Sequence, residues 1–337
     1  MRRVIGLSIL IFVASLLGSA CVKRVTIPEF LPPQPALSTD DLVARINAYG
    51  DIKSFSAQAD VYTTNFVTDK ANKAEIYPAT TGLIRLRRPE NIRMRMSFYG
   101  KQLADMVSDG GKFRLAIFYP EDKRRFIFGS SLHDYEHMDA TDLKANIDPD
   151  VKRAGGLVNM RPQHITDAYL IQPVKQDDRI SVFREEVRQV EPDTRPGRKG
   201  RSVEKIYYVL YVVERGDKHG SLRRKFWFDR SQVGTPLTRQ QTYENGGGKL
   251  ASDVTYSGWF KVENSDYVWP RHVRLERRND GYALQFDLSR DSVEINTEMG
   301  DQVFELENTE KLQELDLDAQ RKDPSTPQSK QRPPSNK

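Results

Sequence analysis

The sequence predicts a mainly β (α+β) fold: an antiparallel meander of about ten or eleven strands that curls to hide its apolar side, with helices over its open face. Three observations carry this. Apolar and polar residues alternate over short stretches through most of the chain, the period of a strand with one face in water. Turn signals rich in glycine separate those stretches. Helical spacing is confined to the start of the body and to one interruption near its middle.

The chain has 337 residues, 52 Lys and Arg against 47 Asp and Glu, a formal charge of +5 and one cysteine, Cys21. It opens MRRVIGLSILIFVASLLGSAC, with Arg2 and Arg3 followed by no charge until Lys23. The apolar core at 4–17 is shorter than the roughly 20 residues a bilayer span takes, and small residues follow it. Residues 1–20 therefore read as a secretory signal. Cys21 has no partner for an internal disulfide, and a free thiol is a liability in an oxidising compartment. Gly18-Ser19-Ala20-Cys21 resembles the lipobox of bacterial lipoproteins, although Gly18 stands where that motif usually has Leu, Val or Ile. The resemblance implies lipid attachment at Cys21, and two or three acyl chains on one residue hold a membrane where a single chain is marginal. Val22 is not the aspartate that often retains such proteins in the inner membrane, so the expected address is the outer membrane, facing the periplasm. The alternative is an uncleaved helical anchor over residues 4–22.

Pro28, Pro32, Pro33 and Pro35 make residues 21–37 a lipidated cysteine with an extended tether. Residues 311–337, ending DPSTPQSKQRPPSNK, read as a disordered polar tail, which leaves 38–310 as the folded domain. Without Arg2 and Arg3 the charge falls to +3, too little for the concentrated basic face of a nucleic-acid reader. Export also argues against DNA or RNA as a partner. Two basic clusters, Arg85-Leu-Arg87-Arg88 and Arg195-Pro-Gly-Arg198-Lys199-Gly-Arg201, read as a solvated strand face and a loop, or else as contacts to anionic lipid head groups.

The body begins STDDLVARINAYG. Ser38 or Thr39 caps a helix whose first turn holds Asp40 and Asp41 at the positive end of its dipole. Leu42, Val43, Ile46 and Tyr49 recur at helical spacing, and Gly50 offers a stop. The period then becomes two. Ile92, Met94, Met96 and Phe98 alternate with polar residues, and Phe113-Arg-Leu-Ala-Ile-Phe-Tyr119 is apolar at its odd positions. Lys225-Phe-Trp-Phe-Asp229 and Tyr282-Ala-Leu-Gln-Phe-Asp-Leu288 repeat the pattern. Asp109-Gly110-Gly111, Asn245-Gly-Gly-Gly248 and Asp280-Gly281 supply turns. Residues 133–172 lose the alternation. There RPQHITDAYLIQP predicts a helix with Pro162 in its first turn, and 139–147 a further one.

The order helix, "IKSFSAQADV", "TGLIRLRRPENIRMRM", "MVSDGGKFRLAIFYPEDKRRFIF", helical insert, then strands ending "FDLSRDSVEINTEMGDQVFEL" resembles the LolA/LolB-like lipoprotein carriers and receptors. Arg88-Pro89, and Ser108-Asp109-Gly110 leading to Tyr119-Pro120, carry most of the likeness. The resemblance implies a half-open antiparallel β-barrel with lid helices over a concave apolar face that takes acyl chains. With a lipidated Cys21 the chain looks closer to the membrane-bound receptor than to the soluble carrier. Implied partners are acyl chains of membrane lipid or lipoprotein, the membrane through the lipid anchor, and a periplasmic carrier protein.

Cavity candidates by parity are Ile84, Leu86, Ile92, Met94, Met96, Phe98, Leu115 and Ile117; the alternative is that they form an ordinary core beneath the lid. Arg88 shares the parity of Ile84 and Leu86, and in the LolA branch the arginine before this proline latches the lid. An inward guanidinium needs such acceptors, since a buried unpaired charge is very costly. In LolB-like proteins an exposed apolar hairpin tip inserts cargo into the membrane, which makes Tyr99 the candidate here.

No catalytic residues, metal site or cofactor are assigned. His133-Asp-Tyr-Glu-His137 has two histidines at metal-ligand spacing but no third ligand nearby, and Gly129-Ser130-Ser131 is far from a nucleophile motif. A hydrolase using His133 and His137 is thus a remote alternative. The nearer one is an envelope scaffold with a filled interior, binding a protein through its strand edges or the basic 191–204 loop.

Overall fold

A computed structural model describes residues 27–66, 74–119, 121, 124–131, 161–216, 219–244 and 248–320. The signal segment, Cys21, the helix expected at 139–147, His133, His137 and the chain after 320 lie outside the described residues.

The chain forms β1 (Glu29–Phe30), α1 (Thr39–Ala48), β2 (Ser54–Asn65), β3 (Glu75–Ile76), β4 (Thr80–Arg87), β5 (Asn91–Phe98) and β6 (Lys101–Ser108). There follow β7 (Lys112–Ile117), β8 (Arg125–Ser130), α2 (Pro162–Tyr169), β9 (Ile180–Pro192), β10 (Ser202–Arg215) and β11 (Gly220–Asp229). The last elements are β12 (Leu237–Tyr243), β13 (Leu250–Lys261), β14 (Val268–Arg277), β15 (Tyr282–Leu288), β16 (Glu294–Ile295), β17 (Glu314–Asp316) and α3 (Leu317–Gln320).

Among the described residues, all 17 strands belong to one sheet, against the ten or eleven expected. β1, β3, β16 and β17 are backbone pairings of two or three residues, too short to show a period. β12, LTRQQTY, is polar on both parities and hides its alternation.

The ladder runs antiparallel from β9 through β10, β11, β12, β13, β14 and β15 to β2, and on through β4, β5, β6, β7 and β8. β2, the first long strand, therefore sits in the middle, with β15 and β4 on its two sides. The sheet is open, with β9 at one margin and β17, parallel to β8, at the other.

Both ends of the domain overrun the expected 38–310 limits. The proline-rich stretch is extended, as expected, but is laid on the sheet. Glu29 and Phe30 pair with Val203 and Glu204, Leu31 N–H donates to Glu204 O (3.0 Å), and the Arg230 guanidinium donates to Gln34 O (2.9 Å). At the other end Leu312 and Leu317 are buried and Leu315 is partly so, against Phe113, Phe126 and Ile127. Three leucines gave KLQELDLD enough apolar area to join the sheet, although the polar tail around them masked it.

α1 forms where expected. The Ser38 hydroxyl accepts from Asp41 N–H (3.1 Å) while the Asp41 carboxylate accepts from Ser38 N–H (2.8 Å), a reciprocal capping box. Leu42, Val43 and Ile46 are buried, and one 3₁₀ turn, Tyr49–Asp51, leads into β2. α2 starts with Pro162 at its first turn and has no side-chain cap. Both helices share a single apolar cluster with β2, β4, β5, β6 and β10 to β15, so the sheet wraps around them.

Candidate functional site

The concave side holds the assigned cavity residues unequally. Ile84, Leu86 and Ile92 are fully buried, Met94 nearly so, and Met96 and Leu115 pack on the same cluster. Phe98 does not join them. It is the last residue of β5, opposite Lys101 across the turn, and ends 41 % exposed at the hairpin tip. Ile117 is half-buried opposite Ala104 and Arg125, outside the cluster.

The centre is aromatic. Phe55 stacks on Trp269 (centroids 5.1 Å apart) and lies tilted on Tyr169 (5.1 Å), and Tyr169 meets Phe286 edge-on (5.7 Å). Beside them is a cavity of about 10 Å³ lined by Tyr49, Ala168, Tyr169, Tyr256, Trp259 and Trp269, room for about one water. Among the lining groups, Tyr169 OH and the indole N–H of Trp259 and Trp269 are buried without a hydrogen-bond partner. Burial pushes the Tyr169 hydroxyl well above the ordinary tyrosine range, with the Asp287 charge adding to it.

Residues 170–175, which follow α2, form a strap over this centre, and arginines from two parts of the sheet grip it. Arg88 follows β4, and its guanidinium turns inward. Nε donates to Ile52 O (2.8 Å), Nη2 to Tyr49 O (3.0 Å) and Ile171 O (2.9 Å), and Nη1 to Gln172 Oε1 (3.4 Å). One side chain thus ties the exits of both helices to the end of β4. Arg224, on β11, donates to Gln172 O (2.5 Å) and Pro173 O (3.0 Å). From α1, Asn47 makes a two-way pair with Val174: Nδ2 donates to its carbonyl (3.2 Å) and Oδ1 accepts its N–H (2.7 Å). Tyr256 OH donates to Ala168 O (2.8 Å). These donors satisfy carbonyls at and beyond the C-terminus of α2 that would otherwise lack partners. Burial draws both Arg88 and Arg224 below the usual guanidinium pKa, and the Asp167 charge opposes that shift in each.

Arg224, Asn47 and Tyr256 were not assigned from the sequence. A signal for Arg224 was present: it shares parity with Phe226 and Phe228, both buried, as Arg88 does with Leu86. Asn47 carried none, because its partner lies 127 residues away.

Further along α2, His164 Nδ1 meets Tyr282 OH at 2.6 Å. Burial, then repulsion from Arg277 and Arg161, holds this imidazole well below the ordinary histidine value of 6.5. Among the described residues, no three His, Cys, Asp or Glu side chains are grouped to hold a metal.

Tyr99 is 94 % exposed with φ of 47°, and its ring meets Phe98 edge-on at 4.5 Å. Tyr119, half-exposed, sits under Lys101 Nζ (5.2 Å to the ring). The tip therefore carries aromatic surface beyond the single residue assigned to it.

No family model matches the chain, and no curated protein matches it. Among solved structures, a DUF1329 family protein from Desulfovibrio piger is similar over 81% of this chain and 98% of its own, at 10% identity and a TM-score of 0.39. A domain from Vibrio parahaemolyticus, assigned by name only to outer membrane lipoprotein sorting, is similar over 79% of this chain and 97% of its own, at 8% identity and a TM-score of 0.39.

Proposed function

We propose that the protein is a non-enzymatic, outer-membrane lipoprotein facing the periplasm, and that its half-barrel takes acyl chains of lipid or lipoprotein cargo beneath a latched strap. The observation that carries this reading is the grip of Arg88 on Tyr49 O, Ile52 O and Ile171 O. A cation spanning both helix exits is a device for holding a cover down. Affinity would come from apolar area at roughly 25 cal/mol per Å², less the cost of moving the strap.

A second reading is favoured by the size of that cavity. An interior with space for one water suits an envelope scaffold that keeps the fold and binds a protein by its margins. Native mass spectrometry of the full chain from a lipid-containing host, followed by titration with a fluorescent fatty-acyl probe, separates the two. The first reading expects co-purifying acyl lipid in the wild type and faster probe uptake in both R88A and R224A. Lipid-free protein, with no uptake by the wild type or by either variant, leaves the scaffold.

A further inference from the structure

The chain enters the sheet at a corner that mixes exposed apolar side chains with unpaired cations. Phe30 pairs with Glu204 and Glu204 with Val190, so the three stand in one cross-strand row. Phe30 is 45% exposed and Val190 60%, and Ile27, just before β1, is 88% exposed. Single exposed apolar residues are ordinary, but three gathered at one corner mark a contact surface.

The acids at this corner are already engaged. Glu29 is bridged by Arg195 (2.9 Å) and Arg198 (3.6 Å), Asp193 by Arg195 (2.7 Å) and Glu204 by Arg188 (3.7 Å). Glu191 accepts from the Tyr207 hydroxyl (2.7 Å) and faces Lys205 Nζ (3.5 Å). Lys199 and Arg201 are exposed, and neither has an acidic partner among the described residues. Uncompensated charge here is therefore positive. The loop bearing it has a set shape: Asp193 N–H donates to Arg201 O (2.9 Å), Arg198 N–H to Arg195 O (3.2 Å) and Arg201 N–H to Arg198 O (3.0 Å). Gly197 and Gly200 take positive φ, with open space where a side chain would stand.

The chain outside the described residues says what covers this corner. Ile27 stands six residues after Cys21, at most about 22 Å of extended chain, and Lys23 and Arg24 lie between them. Upstream is the uncharged apolar run. We propose that this corner rests on an anionic bilayer surface, with Ile27, Phe30 and Val190 among the head groups and Lys199 and Arg201 on lipid phosphates. The proposal depends on the chain being held in a membrane through its N-terminal segment. Given that hold, a second contact is intramolecular and needs little intrinsic affinity. Docking of β1 on β10 then fixes which end of the strands faces the bilayer. Followed through the alternating directions of the ladder, the turn at 98–101 lies at the other end.

Hydrogen exchange of the full chain, reconstituted in vesicles of phosphatidylglycerol with phosphatidylcholine, in phosphatidylcholine alone and in neutral detergent, tests this. Amides at 194–201 should exchange about tenfold more slowly with the anionic lipid. The protection should vanish at high salt and in K199E/R201E, while amides at 98–101 stay unchanged throughout. Equal exchange at 194–201 in all three settings, or protection of 98–101 instead, overturns the proposal. Vesicle flotation keeps the underlying reading separate: a chain that does not float removes the membrane hold, whereas one that floats with an unprotected loop removes only this inference.

Discussion

The two interior helices occupy the same cluster but are finished differently at their ends. α1 carries a complete capping box and sinks Leu42, Val43 and Ile46 into the core. α2 lacks a side-chain cap at its start, buries Ile165, Ala168 and Tyr169, and at and beyond its end is held by hydrogen bonds from Arg88, Arg224, Asn47 and Tyr256. Apolar packing is non-directional and fades gradually with displacement, whereas a hydrogen bond is lost within about an ångström. α1 is thus held by its own cap and by packing, and α2 by packing together with hydrogen bonds that distant strands supply at its end.

Three measurements sharpen or break that contrast. The largest effect belongs to I46A, which leaves a cavity under α1 and should cost about 2–5 kcal/mol, read as a lower urea midpoint at unchanged slope. A loss below about 1 kcal/mol would mean that α1 is loosely seated. R88A comes next, at about 1–3 kcal/mol for the lost charged hydrogen bonds. Amides at 170–175 should exchange at least about tenfold faster in R224A, whose guanidinium donates to Gln172 O and Pro173 O, while those of α1 do not move; equal acceleration in both helices would show that this grip serves the whole core. The smallest is a pH effect. His164 has its folded pKa depressed, so below its ordinary value of 6.5 the unfolded chain binds the extra proton. The His164 contribution should be flat above that value and fall as pH drops below it, against the opposite trend of Asp167, whose carboxyl burial pushes up to about 6. H164Q, which can still bond Tyr282 OH, should flatten the fall; an unchanged profile would assign it to other groups.

What could be read from the sequence divides along the same line. Ser38, Asp41, Leu42 and Ile46 obey local rules of capping and period, and α1 formed over Thr39–Ala48. The even positions of β5 obeyed the pleat, but Phe98 stands at the hairpin tip, beyond the elements that cover the earlier positions. The inward turn of Arg88 followed from parity, but its acceptors came from 36 to 83 residues away, and no local pattern announces a backbone carbonyl. Leu312, Leu315 and Leu317 were hidden by polar surroundings whose average said tail.

The place of β2 in the middle of the ladder bears on how the molecule is made. Its second long neighbour is β15, and Ala59 pairs with Leu288, so the first long strand waits for residues near the carboxyl end before it has partners on both sides. Contacts this remote in sequence slow folding, because the loop must close before its reward arrives.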